Sequence, residues 1–164
     1  MERKFSSLLR ALRENGVEFI LVGGLAGVLN GAPINTFDVD IVHVRTPANI
    51  TRLLGVLESV DAVFRIQPDR KLRPDASHLK GPGHLNLATS HGPLDLLGMI
   101  GSGRNYQDLL PHSADMDIGG GIRIRVLDLE TLVAIKEELA GDKDRAMLPI
   151  LRQTLNETRK KEVR

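Results

Sequence analysis

Two aspartates, Asp38 and Asp40, stand two residues apart within an apolar segment, residues 37–44. The alternation predicts a β-strand, in which side chains two apart project from the same face. Like charges a few ångströms apart repel one another, and large apolar neighbours leave little water to screen them. The pair therefore requires either a strand face open to solvent or a cation between the two carboxylates.

A divalent cation is the simplest partner for such a pair. Hard divalent ions take carboxylate oxygens, and magnesium typically combines one or two protein carboxylates with substrate phosphates. Asp95 supplies a third carboxylate in another strand-like segment, residues 94–100, where an acid has no obvious structural purpose. The pattern favours phosphoryl chemistry. The alternatives are a solvated edge strand for Asp38 and Asp40 and a turn position for Asp95.

A glycine pair, Gly23-Gly24, separates one short apolar segment, residues 17–22, from another, residues 25–30. The first is predicted to be a buried strand and the second a brief helix closed by Gly31. Glycines at such a junction let backbone N–H groups approach an anion closely at the positive end of the helix. Phosphate suits that position, and a plain strand-to-helix turn is the alternative.

The remaining pattern predicts a single α+β (mixed α/β) domain over residues 1–164, with a frayed basic tail from about residue 157. Helices are expected at residues 5–12, 50–57, 128–140 and from 143, the last with a kink at Pro149. Strands are expected at residues 61–66, 85–89, 94–100 and 122–126. Residues 67–83 carry three prolines and two glycines and are expected to form a long surface loop.

Composition and missing motifs exclude several other functions. Lys and Arg number 22 against 21 Asp and Glu, so no overall field attracts nucleic acid or an anionic membrane. Without cysteine the chain has no disulfide or thiolate nucleophile, which fits a cytoplasmic location. No apolar segment reaches membrane-spanning length. The sequence also lacks a Walker-type phosphate loop, a serine nucleophile elbow and histidines at metal-ligand spacing.

Three segments occur in a characteristic order: Val22-Gly23-Gly24, then Gly31-Ala32-Pro33-Ile34-Asn35-Thr36-Phe37-Asp38-Val39-Asp40, then Gly92-Pro93-Leu94-Asp95-Leu96-Leu97. Together they resemble the DNA polymerase β-like nucleotidyltransferase superfamily, most closely its small bacterial members of the abortive-infection and toxin type. The likeness extends to residues 127–136 and 143–145 and so covers most of the chain. It implies a nucleotidyltransferase fold, in which helices flank a mixed central sheet.

The resemblance also implies roles for individual residues. Asp38, Asp40 and Asp95 would be the catalytic acids, and the same three residues would bind two magnesium ions. Manganese would substitute for magnesium. The triphosphate of a nucleotide would contact the residues Gly23, Gly24 and Thr36. Many relatives carry an arginine two residues before the threonine, where this chain has Ile34.

Two lysines are candidates for holding phosphates. Lys136 falls on the apolar stripe of its predicted helix, where an ammonium group needs an acceptor. A bound phosphate is one such acceptor, and the alternative is a packed stem whose ammonium reaches water or a surface acid. Lys143, near the start of the last helix, is a weaker candidate for the same role.

The expected activity is transfer of a nucleoside monophosphate from a nucleoside triphosphate to an acceptor hydroxyl, with loss of pyrophosphate. The acceptor is left open between an RNA end, a protein hydroxyl and a small molecule. An alternative, motivated by Ile34 and the small size, is a non-catalytic nucleotide-binding or interaction protein, for example one component of a two-protein regulatory or defence system. A protein partner or a homodimer fits a chain without an obvious acceptor-binding domain. A structural protein with a solvated Asp-x-Asp edge is the third possibility.

Overall fold

A computed structural model describes the backbone of residues 3–139 and 141–163, and the side chains of these residues apart from residues 3 and 142–144. Seven strands are present in this part of the chain: β1 (Phe19–Val22), β2 (Val39–His43), β3 (Val63–Phe64), β4 (His84–Thr89), β5 (Gly92–Leu97), β6 (Ser113–Asp117) and β7 (Arg123–Leu127). They form one mixed sheet in the order β3-β4-β5-β2-β1-β7-β6.

The described residues also form seven α-helices: α1 (Arg3–Glu14), α2 (Gly23–Leu29), α3 (Pro47–Ser59), α4 (Ala76–Lys80), α5 (Tyr106–Leu109), α6 (Leu129–Leu139) and α7 (Asp142–Val163). Short 3₁₀ turns occupy Pro68–Arg70 and Leu110–His112. None of the described helices is both long enough and apolar enough to cross a lipid bilayer. The mixed α/β class expected from the apolar spacing is confirmed.

Strand β2 lies between β1, with which it pairs antiparallel, and β5, with which it pairs parallel. In this register Asp40 is opposite Val22 of β1 and opposite Asp95 of β5. Because paired residues on neighbouring strands project from the same face, the Asp40 and Asp95 side chains lie side by side. The pairing of β2 with β5 thus joins two acids that are far apart in sequence.

Helices cover both faces of the sheet. His43 projects from the face of β2 opposite to Asp40, and its Nε2 lies 2.9 Å from the carbonyl oxygen of Leu79 in α4. Helix α1 contacts α3, and α3 contacts α4. Helix α6 contacts both α2 and α7, and its residue Lys136 shares a cavity with Asp40 and Asp95. The acids therefore project between the sheet and α6.

Several predicted boundaries differ from the structure. Strand β2 begins at Val39, so Asp38 lies one residue before it, and Phe37 is 77% exposed instead of packing with Val39. Helix α4 interrupts the expected loop at residues 67–83 because Asp75 caps it, accepting from the backbone N–H groups of Ser77 and His78. The buried Leu79 fixes this helix to the core.

Strand β6 and helix α5 were not predicted. Strand β6 lies at the edge of the sheet and none of its residues is fully buried, so its sequence carries no apolar alternation. Helix α7 includes Pro149 and continues to Val163, past residue 157, where fraying was expected. An ion pair between Arg159 and Glu130 of α6, with 3.6 Å between nitrogen and oxygen, accompanies this extension.

A buried asparagine in α3 ties that helix to the ends of the two central strands. Asn49 is fully buried. Its Oδ1 accepts from the backbone N–H of Glu18 at 2.8 Å, and its Nδ2 donates to the carbonyl oxygens of Glu18 at 3.0 Å and Val44 at 2.8 Å. Glu18 directly precedes β1 and Val44 directly follows β2, so one side chain fixes the ends of both strands.

We expect Asn49→Ala to lower the free energy of unfolding by about 2–4 kcal/mol, because the Glu18 N–H and the Val44 carbonyl lose their bonds to Asn49. The Glu18 carbonyl keeps its bond from the Val44 N–H. Urea unfolding monitored by circular dichroism measures the change. Asn156→Ala, at an exposed position of α7, is the matched control and should change stability by less than about 0.5 kcal/mol. Equal effects of the two substitutions would contradict the assigned role of Asn49.

Candidate functional site

Three carboxylates gather where β2 and β5 lie side by side. Asp38, Asp40 and Asp95 each present an oxygen within 4.8 Å of the others, and all three residues are half-buried. Asp40 and Asp95 are register partners, and Asp38 lies one residue before β2. The structure therefore brings together the three acids that the sequence singled out, and their donor set suits a hard divalent cation.

The glycine pair adjoins these acids. Gly23 has a φ of +70°, and a Cβ atom at this position would lie 2.1 Å from Oδ2 of Asp40. A Cβ at Gly24 would lie 3.0 Å from Oγ1 of Thr36, whose hydroxyl donates to the carbonyl oxygen of Asp38 at 3.3 Å. Any side chain at position 23 would occupy the space of the Asp40 carboxylate. Glycine at position 23 therefore leaves the space that the Asp40 carboxylate occupies.

The crowding of the acids changes the protonation of Asp40. Burial is the largest cause that raises the pKa of Asp40 from 3.8 to about 7. A hydrogen bond with Asp95 and the negative charges of Asp95 and Asp38 raise this pKa further, whereas the Lys136 ammonium lowers it. Without an added cation, the site thus disfavours the state in which all three carboxylates are ionised. A bound metal ion would stabilise that state.

An arginine that the sequence analysis did not identify contacts the third acid. Arg65 Nη2 lies 2.8 Å from Oδ1 of Asp95, and Arg65 Nη1 donates to the carbonyl oxygen of Leu87 at 3.1 Å. Two anchored bonds orient the guanidinium and, through it, the carboxylate. The sequence showed only that Arg65 is a basic residue within the predicted strand at residues 61–66. That Arg65 pairs with Asp95 depends on the sheet register, which the sequence does not give.

Two cavities meet at the acids. The first, about 220 Å³ in volume, is lined by polar groups that include Gly24, Thr36 and Asp38. The second, about 210 Å³ in volume, contains Asp95 and a mostly apolar wall. Asp40 and Lys136 line both cavities. A molecule in either cavity would therefore contact the same carboxylate and the same lysine.

The structure thus places seven of the eight predicted site residues around one point; the side chain of Lys143 lies outside the described residues. Ile34 packs against the apolar core, and its Cδ1 would lie 3.4 Å from a Cβ at Gly27 of α2. Ile34 thus makes an apolar packing contact at the position where the resemblance implied an arginine.

We expect the contribution of Asp40 to the stability of the metal-free protein to fall as the pH rises from about 4 to 7, since the folded state keeps the Asp40 proton up to about pH 7 and the unfolded chain releases it near 3.8. At 1.36 kcal/mol per pKa unit the loss is at most about 4 kcal/mol. Asp40→Asn should remove this slope and leave the variant at least as stable as the wild type at pH 8.

Urea unfolding in EDTA at pH 4 to 8 measures both slopes. Burial also lowers the pKa of His43 from 6.5, which removes stability as the pH falls, so the difference between wild type and variant isolates Asp40. Asp69→Asn, at an exposed position, should retain the wild-type slope. Parallel curves for wild type and Asp40→Asn would show that the acids do not repel one another as described.

Comparison with known proteins supports the fold independently. Neither a protein-family model nor a curated protein sequence matches the chain. The lincomycin-bound crystal structure of the lincosamide antibiotic adenylyltransferase LnuA superposes with a TM-score of 0.63 at 13% identity, covering 94% of this chain and 98% of that chain. A Thermotoga maritima protein assigned as a nucleotidyltransferase superposes with a TM-score of 0.57 at 18% identity, covering 94% and 92%. The chain therefore has the single-domain nucleotidyltransferase fold that the resemblance implied.

Proposed function

We propose that this protein transfers a nucleoside monophosphate from a nucleoside triphosphate to an acceptor hydroxyl, with release of pyrophosphate. The observation that carries the proposal is the cluster of Asp38, Asp40 and Asp95 beside the Gly23-Gly24 turn, with two cavities that share one carboxylate. The LnuA structure, which has a similar fold, is that of an adenylyltransferase. That likeness agrees with nucleotidyl transfer and leaves the acceptor open.

The acids fit divalent cations, which Asp38, Asp40 and Asp95 would hold. When bound, two magnesium ions, or manganese in their place, lower the pKa of an acceptor hydroxyl and stabilise the charge that develops at phosphorus. The raised pKa of Asp40 supports this assignment, because a cation among the acids would offset both the burial of the Asp40 charge and the repulsion by Asp95 and Asp38.

The two cavities divide the substrates between them. The first cavity suits the triphosphate, since Thr36 offers a hydroxyl, Gly24 leaves room for close approach and Lys136 offers an ammonium group. Lys143 would serve the same role. The second cavity suits the acceptor, because Asp95 lies within it.

The transfer step then uses groups of this chain on both sides. The acceptor oxygen forms a bond to the α-phosphorus as the bond from this phosphorus to the bridging oxygen breaks, and pyrophosphate leaves with that oxygen. Asp95 takes the proton of the acceptor hydroxyl. Arg65 keeps the Asp95 carboxylate oriented through its 2.8 Å contact.

A second candidate function is nucleotide binding without catalysis, as in a regulatory or defence protein that acts through a partner protein. Ile34 favours it, because this residue packs against the core where many relatives carry an arginine. Loss of one phosphate contact would reduce turnover more than metal binding, since the carboxylate cluster is intact. Nucleotide binding without pyrophosphate release in the presence of every acceptor class would identify this function.

We expect Asp38→Asn/Asp40→Asn to abolish both the magnesium-dependent rise in melting temperature with nucleoside triphosphates and pyrophosphate release, without unfolding the protein. Ligands that bind only the folded state stabilise it, by about 2.7 kcal/mol at a hundredfold excess over Kd. Thermal unfolding with each triphosphate, with and without magnesium, measures the effect. Asp69→Asn/Glu162→Gln removes two exposed charges elsewhere and should behave as wild type. Full nucleotide response in the double aspartate variant would overturn the proposal.

Lys136→Met should weaken nucleoside triphosphate binding about tenfold or more, because an ammonium–phosphate contact contributes about 1.4 kcal/mol or more. Isothermal titration with magnesium and the triphosphate gives the two Kd values. Lys161→Met, on the exposed last turn of α7, is the control. If the nucleoside, without phosphates, weakens by the same factor, Lys136 contacts a different part of the nucleotide.

A further inference from the structure

We propose that the acceptor is a small molecule with a hydroxyl group on a partly apolar body, and that it is neutral or positively charged. The inference rests on the proposed function and deepens it, since the same second cavity would hold this acceptor. Four features support the inference: the apolar wall of the cavity, its polar side, its size and the pairing of the arginines that adjoin its lining residues.

The wall of the second cavity comes from two separate parts of the chain. Leu97 of β5 and Ile100 approach from one side, and Leu132 and Ile135 of α6 from the other. Leu139, the last residue of α6, also lines the cavity and is 51% exposed. An exposed leucine continuous with an apolar wall gains free energy when an apolar surface covers it.

Polar groups line the cavity on the sheet side, next to Leu97. Asp95 lies there with Asn86, its register partner on β4, and His84, the partner of Leu97. The ring of His84 is oriented by a 3.0 Å contact between its Nε2 and the carbonyl oxygen of Met99. A ligand with one hydroxyl near Asp95 and a second polar group near Asn86 would satisfy this side while its body covers the leucines.

The charges around the cavity disfavour a polyanionic acceptor such as an RNA end. Arg104, which adjoins Gly101 of the cavity, forms two hydrogen bonds with Glu138 at 2.9 and 2.7 Å. Arg65 is engaged with Asp95. Nucleic-acid phosphates need arginines or lysines that are available to neutralise them. The lining residues of the cavity include two acids, Asp40 and Asp95, and one lysine, Lys136. This excess of acids favours a neutral or cationic acceptor.

The size of the cavity sets a further limit. Its volume of about 210 Å³ lies below the range of about 300–1,000 Å³ for sites that enclose drug-sized ligands. It accommodates the reacting end of a small molecule, while the remainder extends over Leu139. A hydroxyl side chain of a folded protein would reach Asp95 only on a protruding segment of that protein. A cavity with walls on two sides offers no extended groove for such a segment.

Three alcohols of matched shape test the charge and the class of the acceptor: 2-amino-1-phenylethanol, 1-phenylethane-1,2-diol and mandelic acid. Each has a phenyl body and a hydroxyl group, and they differ in one substituent. Methyl NMR spectra of the protein with magnesium and a non-hydrolysable triphosphate report binding at Leu97, Ile100, Ile135 and Leu139. We expect the amine and the diol to shift these methyl resonances and the acid to bind at least tenfold more weakly.

A single-stranded RNA with a free 3′ hydroxyl and a serine-containing peptide form the other arms of the experiment. Neither should shift the methyl resonances of these four residues at concentrations where the amine does. Perturbation by the RNA or the peptide, or tighter binding of the acid than of the amine, overturns the inference. An absence of binding by all three alcohols overturns it as well.

Leu139→Ala provides the matched variant, because Leu139 is exposed and its truncation leaves the core intact. We expect the Kd of the amine to rise about 3- to 10-fold, from the loss of part of the buried apolar contact. Ile150→Ala, which truncates another exposed apolar residue at 36% exposure, should leave the Kd unchanged. Equal Kd values for both variants would contradict the role of the Leu139 surface.

The nucleotide is measured separately, so the two proposals fail in different ways. If no triphosphate stabilises the wild-type protein in magnesium, the proposed transfer is wrong, and the inference about its acceptor is wrong with it. If a triphosphate stabilises the protein but the three alcohols leave the methyl resonances unchanged, the acceptor inference alone is wrong.

Discussion

The burial and mutual repulsion of three carboxylates form the constraint on which the rest of this site depends. Parallel pairing of β2 with β5 places Asp40 beside Asp95, and Asp38 is added one residue before the strand. Burial of such a group costs free energy that folding alone does not recover. A fold that retains the arrangement is therefore adapted to an added positive charge, and this supports the proposed metal-dependent chemistry.

The neighbouring residues accommodate this repulsion in different ways. Gly23 leaves the space that the Asp40 carboxylate occupies, whereas Arg65 pairs with Asp95 from the adjacent edge of the sheet. Lys136 approaches from α6 and favours the ionised form of Asp40. Each contribution comes from a different part of the chain, so the geometry of the acids depends on the packing of α6 against the sheet as well as on strand register.

The Asp40 carboxylate also lies between two cavities that differ in chemical character. Polar groups around Thr36 suit phosphates, while the leucines and isoleucines around Asp95 suit an apolar body. Because Asp40 borders both cavities, the proposed substrates would meet where the acids meet. In the proposed reaction this division would favour a small acceptor over a polyanion, and the side chains of α6 would contribute to the choice of acceptor.

The sequence by itself determined the mixed α/β class, the main helices and strands, and the identity of the three acids. Apolar periodicity and an Asp-x-Asp pair are local properties, and a strand fixes which side chains share a face. Only the tertiary structure decided that Asp95 lies opposite Asp40, that Arg65 pairs with Asp95, and that α6 supplies an apolar wall. These contacts join residues about 30 or more positions apart, and strand register and helix packing, which no local pattern encodes, determine them. Two elements were not predicted, each for its own reason. Edge strand β6 lacks apolar alternation. Helix α4 is too short for an apolar stripe and is stabilised by its cap and the buried Leu79.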